Sequence, residues 1–442
     1  MYIRPTISLF NCVFVLMLSS TRFFKTLSFT PSSVRYCSHA RLHTRLFTST
    51  STSTSTEGSS SNENSWTAPS TVISSLSSPP PASIEASPSH PAPSSSSGLA
   101  EFSDLIQNFS SSPIEKLLLR DSLLIYVKRD DLLRLRGPGV TGNKARKMLS
   151  LVQSGLSNDE GEGKKVNAIV SHGGHQSNAM LALAAVARHL DVPFRYYCKK
   201  VPRYLRSNPS GNFLRAKSLG MEVVELDGGE YSEAFATTPT VDPPFPAPQP
   251  SSLWIPQGGA SNLSLAGCNK LAAEIYDFYV DHIPEGSRIA TVIPCGTGCT
   301  ALLVHREIRR LMERHEGEGC LEVVGVGVCG GRKGIIQQMK LLSEATGGAG
   351  ETLPEVIDCK VPFAKPDQRV LDIWKEMKEY GVFLDLIYGA PAWLSIFRER
   401  QKEEGKLKNM QILYVHTGGL EGISSQLTRY KHLEMVEDGS VQ

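Results

Sequence analysis

Val166-Asn167-Ala168-Ile169-Val170-Ser171-His172-Gly173-Gly174-His175-Gln176-Ser177-Asn178 is an apolar, β-branched run that ends at two glycines and opens an alanine-rich stretch, 178–190, with apolar residues at helical spacing. Nearly continuous apolar character marks a strand buried on both faces. Serine and asparagine are residue types that start helices, and here Ser177 is the N-cap reading. The unit is strand, glycine turn, helix, and it recurs. Runs at 123–127, 194–199, 221–227, 288–294, 321–328 and 410–416 read as further strands, and 212–219, 300–314 and 392–404 as helices. Such alternation makes an α/β protein with mainly parallel twisted sheets covered by helices. Ligands in these sheets sit beyond the carboxyl ends of strands, so the loops there are where chemistry is sought. The stretch 228–252, with six prolines, reads as a loop or insertion.

The whole chain has 442 residues, 40% hydrophobic and 20% charged, enough for two domains or one large one. Residues 1–56 contain six Lys and Arg and no Asp or Glu, whereas 57–442 carry 40 basic against 44 acidic side chains, a net −4. A mildly acidic body is a poor match to a phosphate backbone, so nucleic acid is excluded as a partner class. The apolar run 7–18 is too short to cross a bilayer of about 30 Å, so no stable membrane anchor is expected. The Arg- and Ser-rich stretch that follows it has the composition of an organelle transit peptide. Residues 1–56 therefore read as a targeting peptide into mitochondrion or plastid, and 57–100 as a disordered Ser/Pro-rich linker. Nine cysteines without a C-x-x-C pair read as reduced thiols, and no metal site is expected.

Four strand-end loops carry the chemistry. In Thr141-Gly142-Asn143-Lys144-Ala145-Arg146-Lys147, Asn143 can cap a helix whose first turn holds Lys144, where the helix dipole disfavours an ammonium. Lys144 is then either a nucleophilic amine or a surface cation beside Arg146 and Lys147. In the 172–178 loop, glycine amides with Ser177 and Asn178 can bind a carboxylate, or simply form a strand-to-helix turn; His175 reads as a packed or solvent-facing histidine. Cys295-Gly296-Thr297-Gly298-Cys299-Thr300 opens a helix with two glycines and two hydroxyls, a cradle for one phosphate monoester. It lacks the third glycine of a dinucleotide fingerprint and the Lys-Ser/Thr of a Walker loop. Thr417-Gly418-Gly419, after the last strand, lets a flat ring approach without steric conflict, or is a plain turn.

Together with Lys128-Arg129-Asp130-Asp131, Gly211-Asn212, Pro256-Gln257-Gly258-Gly259-Ala260 and 384–388, these pieces occur in an order that resembles the pyridoxal-phosphate-dependent 1-aminocyclopropane-1-carboxylate deaminases and D-cysteine desulfhydrases. The resemblance covers about 114–422. It implies the tryptophan-synthase-β fold, fold type II, with the cofactor in a cleft between two domains. The larger domain would be 101–147 with 253–442, and the smaller, on the substrate side, 148–252. It also implies pyridoxal 5'-phosphate as cofactor, a small amino acid as substrate and a homodimer. Carried over by position, Lys144 would be the Schiff-base lysine. Ser177, with Gln176, would meet the substrate carboxylate, and Asn178 the cofactor's ring oxygen. Gly296, Thr297, Gly298, Cys299 and Thr300 would hold the phosphate. Tyr388 would be the active-site tyrosine and Thr417 the neighbour of the ring nitrogen. The catalytic set is Lys144, Ser177 and Tyr388.

The chain also departs from that pattern. Deaminases of the family have a glutamate after the tyrosine where Gly389 stands, and Ala390-Pro391 replace the usual Gly-Lys. A neutral Thr417 beside the ring nitrogen makes a weaker electron sink. That suffices for β-elimination of a thiolate and handicaps the opening of a cyclopropane that has no α-hydrogen. The expected reaction is therefore D-cysteine to pyruvate, hydrogen sulfide and ammonia, with deamination of the cyclopropane substrate to 2-oxobutanoate as the alternative. A catalytically idle cofactor binder is the alternative of a different class, and it has no use for Lys144, Ser177 and Tyr388 together.

Overall fold

The computed structural model describes residues 111–119, 123–155, 167–235, 252–315 and 320–436. The expected targeting peptide and linker lie outside the described residues. In chain order the strands are β1 (Ile114–Leu118), β2 (Leu124–Lys128), the two-residue pair β3 (Arg134–Leu135) and β4 (Val140–Thr141), β5 (Ala168–His172), β6 (Phe194–Lys199), β7 (Met221–Leu226), β8 (Ser252–Ile255), β9 (Ile289–Cys295), β10 (Leu321–Gly327), β11 (Glu355–Asp358) and β12 (Gln411–Val415). The helices are α1 (Gly142–Gly155), α2 (Asn178–His189), α3 (Arg203–Ser207), α4 (Gly211–Ser218), α5 (Gly228–Ala234), α6 (Leu265–His282), α7 (Cys299–Arg314), α8 (Gly331–Ala345), α9 (Gln368–Glu379), α10 (Gly389–Gln401) and α11 (Ile423–Lys431).

Two sheets result. The larger has the order β1-β2-β12-β9-β10-β11, parallel except for the antiparallel edge strand β1. The smaller, β7-β6-β5-β8, is wholly parallel. Alternate residues of one strand feed opposite cores, as the two-residue period demands. Ile412 and Tyr414 pack with Val292 and Trp393 on one face of β12, and Leu413 and Val415 with Ile293 and Leu302 on the other. In the small sheet Ile169 packs on Met180 and Leu183 of α2, while Val170 meets Tyr197 and Phe235 behind it. Burial on both faces is why these strands read as apolar runs. Among the described residues no helix is long and apolar enough to cross a membrane.

Three local expectations need correction. The stretch 228–252 is not all loop: Glu230 accepts the Asp227 N–H at 2.8 Å and starts α5, and β8 begins at Ser252. The helix expected at 392–404 begins at Gly389 instead. The Asp385 carboxylate accepts the amides of Ile387, Tyr388 and Gly389 at 2.9, 2.7 and 2.9 Å, and its carbonyl takes the Ala390 N–H at 2.9 Å. Those bonds close the first turn early, and Pro391 falls where a helix needs no N–H. Asn143 is no cap either, because α1 already starts at Gly142.

Candidate active site

α1 enters at a close crossing. Gly142, at φ +65°, lies so near the last strand's exit that a Cβ would come within 2.6 Å of the Thr417 carbonyl. Only glycine fits there. The Asn143 N–H donates to that same carbonyl at 3.0 Å, which pins the first turn of α1 against Thr417. The Asn143 side-chain oxygen accepts from the Lys144 amine at 2.9 Å. Burial pushes the Lys144 pKa from the ordinary lysine range down to about 7, and the Lys147 ammonium adds to the shift. Cys299, Glu421 and Asp385 pull against it. Dehydration, more than the helix dipole invoked from sequence, thus makes this amine a base. The alternative reading made Lys144 a surface cation beside Arg146 and Lys147, but those two neighbours are themselves buried. Lys147 is buried and donates to the Gly258 carbonyl at 3.1 Å, and Arg146 is held by Asp130 and Glu274.

The other loops close a ring around this point. Ser177 caps α2, accepting the Met180 N–H at 3.3 Å as its residue type predicts. Asn178, the first residue of α2, accepts from the Asn212 amide at 2.7 Å and lies against Gly419. Gly419 in turn approaches Asp385, whose amide-bound oxygens fix the turn that carries Tyr388. Tyr388 packs over Gly296, and Thr297 packs over Gly258, which returns the ring to Lys147. Lys144, Asn178, Gly296, Thr297, Tyr388 and Thr417 are thereby brought together. Gln176 points elsewhere with its side chain. It accepts the Asn212 N–H at 2.9 Å and donates to the Ser210 carbonyl at 3.1 Å, which anchors the start of α4. His175 is half-buried and bonded to the Lys199 carbonyl.

The 296–300 turn matches one phosphate. Gly298 sits in the left-handed region at φ +75°, no side chain caps α7, and the first amides of a helix have no acceptor of their own. An open helix N-terminus of 16 residues supplies donors and positive potential to an anion. Cys299 is buried with its thiol toward the Gly259 carbonyl, and Thr300 is buried beside it. Burial drives the Tyr388 phenol well above its ordinary range, so it is a proton donor at neutral pH.

Two participants escaped the sequence reading. Asp385 is buried, and desolvation raises its pKa while three amides lower it. The spacing Asp385-x-x-Tyr388, an acid three residues before the tyrosine, was the available signal. Glu421, which accepts from the Thr141 hydroxyl, had none.

A buried amine near neutrality, an open phosphate cradle and a tyrosine in one ring of loops are what a pyridoxal-phosphate enzyme needs. Residues 109–418 match the family described as pyridoxal-phosphate dependent enzyme, and the chain belongs to that family. It is similar, at 30% identity over 320 residues, to the putative 1-aminocyclopropane-1-carboxylate deaminase of Thermotoga maritima, covering 69% of this chain and 91% of that protein. At 23% identity over 319 residues it is similar to the mitochondrial bifunctional D-cysteine desulfhydrase/1-aminocyclopropane-1-carboxylate deaminase of Arabidopsis thaliana, covering 70% and 75%. A crystal structure of an ACC deaminase homologue shares the fold, with a TM-score of 0.54, 22% identity and coverage of 74% of this chain and 98% of that one. The fold is the expected type II α/β arrangement, and the protein is an enzyme of the deaminase and desulfhydrase branch that uses pyridoxal phosphate.

Proposed function

We propose that the enzyme carries out β-elimination on D-cysteine, giving pyruvate, hydrogen sulfide and ammonia. Bound pyridoxal phosphate supplies an electron sink for charge at the α-carbon. The Lys144 amine would anchor the cofactor and act as the base toward the α-proton; a pKa about 7 leaves a substantial fraction of it unprotonated at neutral pH. Gly296, Thr297, Gly298, Cys299 and Thr300 hold the phosphate, Asn178 the ring oxygen and Thr417 the ring nitrogen. Ser177 receives the substrate carboxylate, with Gln176 beside it able to contribute only its main chain because its side chain is held at Ser210 and Asn212, and Tyr388 supplies a proton. The Cβ–S bond breaks with its electron pair on sulfur, which is protonated to hydrogen sulfide. Released 2-aminoacrylate takes up water to give pyruvate and ammonia.

The supporting observation is at position 389. Gly389 has no side chain there, and the adjacent acid, Asp385, has both oxygens engaged by main-chain amides. A neutral partner for the ring favours a substrate whose leaving group departs as the proton is lost. Opening of 1-aminocyclopropane-1-carboxylate is the second reading. It is favoured by the closeness of that acid, since a Cβ at 389 would lie 3.1 Å from an Asp385 oxygen. An idle binder is disfavoured by Lys144 and Tyr388 meeting in one ring of loops with Ser177 at its edge.

Both substrates, with L-cysteine as stereochemical control, should be assayed side by side for sulfide, pyruvate and 2-oxobutanoate. Faster pyruvate and sulfide from D-cysteine is expected. Faster 2-oxobutanoate from the cyclopropane would promote the second reading, and activity with neither would leave another β-substituted amino acid or an idle site.

We also propose that the small sheet marks the substrate domain, 148–252 with β8 added, and that 101–147 with the rest of the body forms the cofactor domain. Residues 1–56 would direct the chain to mitochondrion or plastid, and the enzyme would be a homodimer. A fluorescent fusion of residues 1–100 and light scattering of the purified body test these points; a diffuse cytosolic signal or a monomer's mass would count against them.

A further inference from the structure

His172 is the last residue of β5 and is buried. Its ring lies flat on Phe235, with centroids 3.9 Å apart and planes 6° off parallel, and near Trp254 at 6.1 Å. Packing accounts for the ring faces but not for the nitrogens. The Gln257 N–H donates to Nε2 at 3.3 Å, so that nitrogen is the bare one and the hydrogen of the neutral ring is on Nδ1. Nδ1 lies 3.0 Å from the Tyr231 hydroxyl of α5, whose oxygen accepts that hydrogen. Burial drives the His172 pKa down to about 4, which keeps the ring in this neutral form at physiological pH.

Gln257 opens the turn 257–259, which lies against the phosphate cradle. Gly258, at φ +73°, is so close to Thr297 that a Cβ would come within 2.9 Å of the threonine methyl. The Gly258 carbonyl accepts from the Lys147 amine at 3.1 Å. The Gly259 carbonyl accepts from the Ser264 hydroxyl at 2.5 Å and faces the Cys299 thiol at 4.0 Å. These contacts fix the far end of the turn, and His172 fixes its first amide. We propose that His172 is a positioning residue for the cofactor: clamped by α5, its Nε2 holds Gln257 so that the 257–259 turn stays seated against Thr297, and this sets how tightly the phosphate is retained. The proposal rests on the 296–300 loop being the phosphate site.

The test follows capture of two ligands by the apoprotein in absorbance titrations: pyridoxal 5'-phosphate, and pyridoxal, which lacks the phosphate. His172→Phe keeps a stacked ring and loses the acceptor. It should weaken binding of pyridoxal 5'-phosphate by roughly 3- to 10-fold, the worth of one hydrogen bond, and leave pyridoxal unchanged. His172→Gln keeps a side-chain acceptor without the ring, so it should lower the urea midpoint yet hold the phosphorylated ligand within about 2-fold of the parent. Equal losses for both ligands in His172→Phe, or the same loss of the phosphorylated ligand in both variants, would reduce His172 to packing and overturn the proposal. Thr297→Ala separates the reading beneath it. Unaltered binding there would overturn the phosphate site, whereas weaker binding there with none in His172→Phe would overturn the role of His172 alone. Should His172→Phe not fold, Tyr231→Phe removes the partner of Nδ1 from the α5 side. It should give a smaller loss for the phosphorylated ligand only; equal losses for both ligands would refute the proposal.

Discussion

Lys128 and Lys144 stand about one motif apart in the sequence, and burial lowers the pKa of both. They differ in company. The Lys128 amine lies 2.6 Å from a Glu274 oxygen, beside Asp130 and Arg146, and is bonded to the Ser112 carbonyl. That cluster balances two cations with two acids inside the protein. Among the described residues Lys144 has no carboxylate at ion-pair distance. Its nearest polar partner is the neutral Asn143 oxygen, and the foremost charge acting on it, Lys147, has its own sign. A buried lysine with an acid is a structural cation, whereas one from which the acid is withheld is an amine ready to react.

The largest expected effect breaks the reactive side of this contrast. Lys144→Ala should abolish the borohydride-reducible adduct and lower turnover ~10³-fold or more, because attachment and base are lost together. Mass spectrometry of the reduced protein checks the first and product release the second. An adduct that survives would place the reactive amine elsewhere. The structural side breaks differently. Arg146→Met removes the partner that Asp130 meets at 2.6 and 2.7 Å and Glu274 at 3.1 and 2.7 Å. Leaving buried Asp130 with the Ser112 hydroxyl but no ion-pair partner, and Glu274 with Lys128 alone, costs ~3–5 kcal/mol, to be read from urea unfolding, while the adduct per folded molecule stays the same. A cost under about 1 kcal/mol would mean the cluster does not hold α1 in place.

Sequence was enough for whatever depends on neighbours along the chain. Strand runs, glycine turns and the Ser177 cap are local, and β5, β6, β9 and β12 fall where their apolar periods put them. Lys144 and the 296–300 loop stood out as candidates for the same reason, while the roles proposed for them came from the resemblance rather than from local sequence. What depends on distant partners was not. Arg146 and Lys147 look like surface charges until Glu274 and Gly258 arrive from more than 100 residues away. The early start of α10 needs the Asp385 carboxylate folded back on its own turn, and Tyr196 reads as core until its hydroxyl is seen under Gly174. α6 and β11 carry mixed patterns that only packing resolves.

The pH response sharpens the contrast next. Capture of pyridoxal phosphate by the apoprotein needs the neutral Lys144 amine, so its rate should rise with pH through about 7 and level off above it. The stability of the apoprotein should move the same way. The folded pKa lies below the unfolded one, so above about 7 the unfolded chain binds the extra proton, and the Lys144 penalty is relieved as pH climbs toward the ordinary lysine value. Lys144→Gln should flatten that rise in unfolding scans between pH 6 and 10. A parent and variant that stay parallel would show the amine to be solvated.

The smallest effect isolates the hydrogen-bond partner that Lys144 has among the described residues. An ammonium donates more strongly than a neutral amine, so the Asn143 oxygen at 2.9 Å favours the protonated form. Asn143→Ala removes that acceptor and leaves the Asn143 main-chain bond to Thr417 in place. The midpoint of the capture profile should then shift to lower pH by up to about one unit, the worth of a single hydrogen bond of roughly 1 kcal/mol. Lys128 supplies the control, since Ser112→Ala leaves the carbonyl that its amine meets and should not move the profile. A midpoint that rises in Asn143→Ala would mean that water or Glu421 enters to solvate the ammonium, and that the amine is kept reactive by Asn143 filling the space beside it.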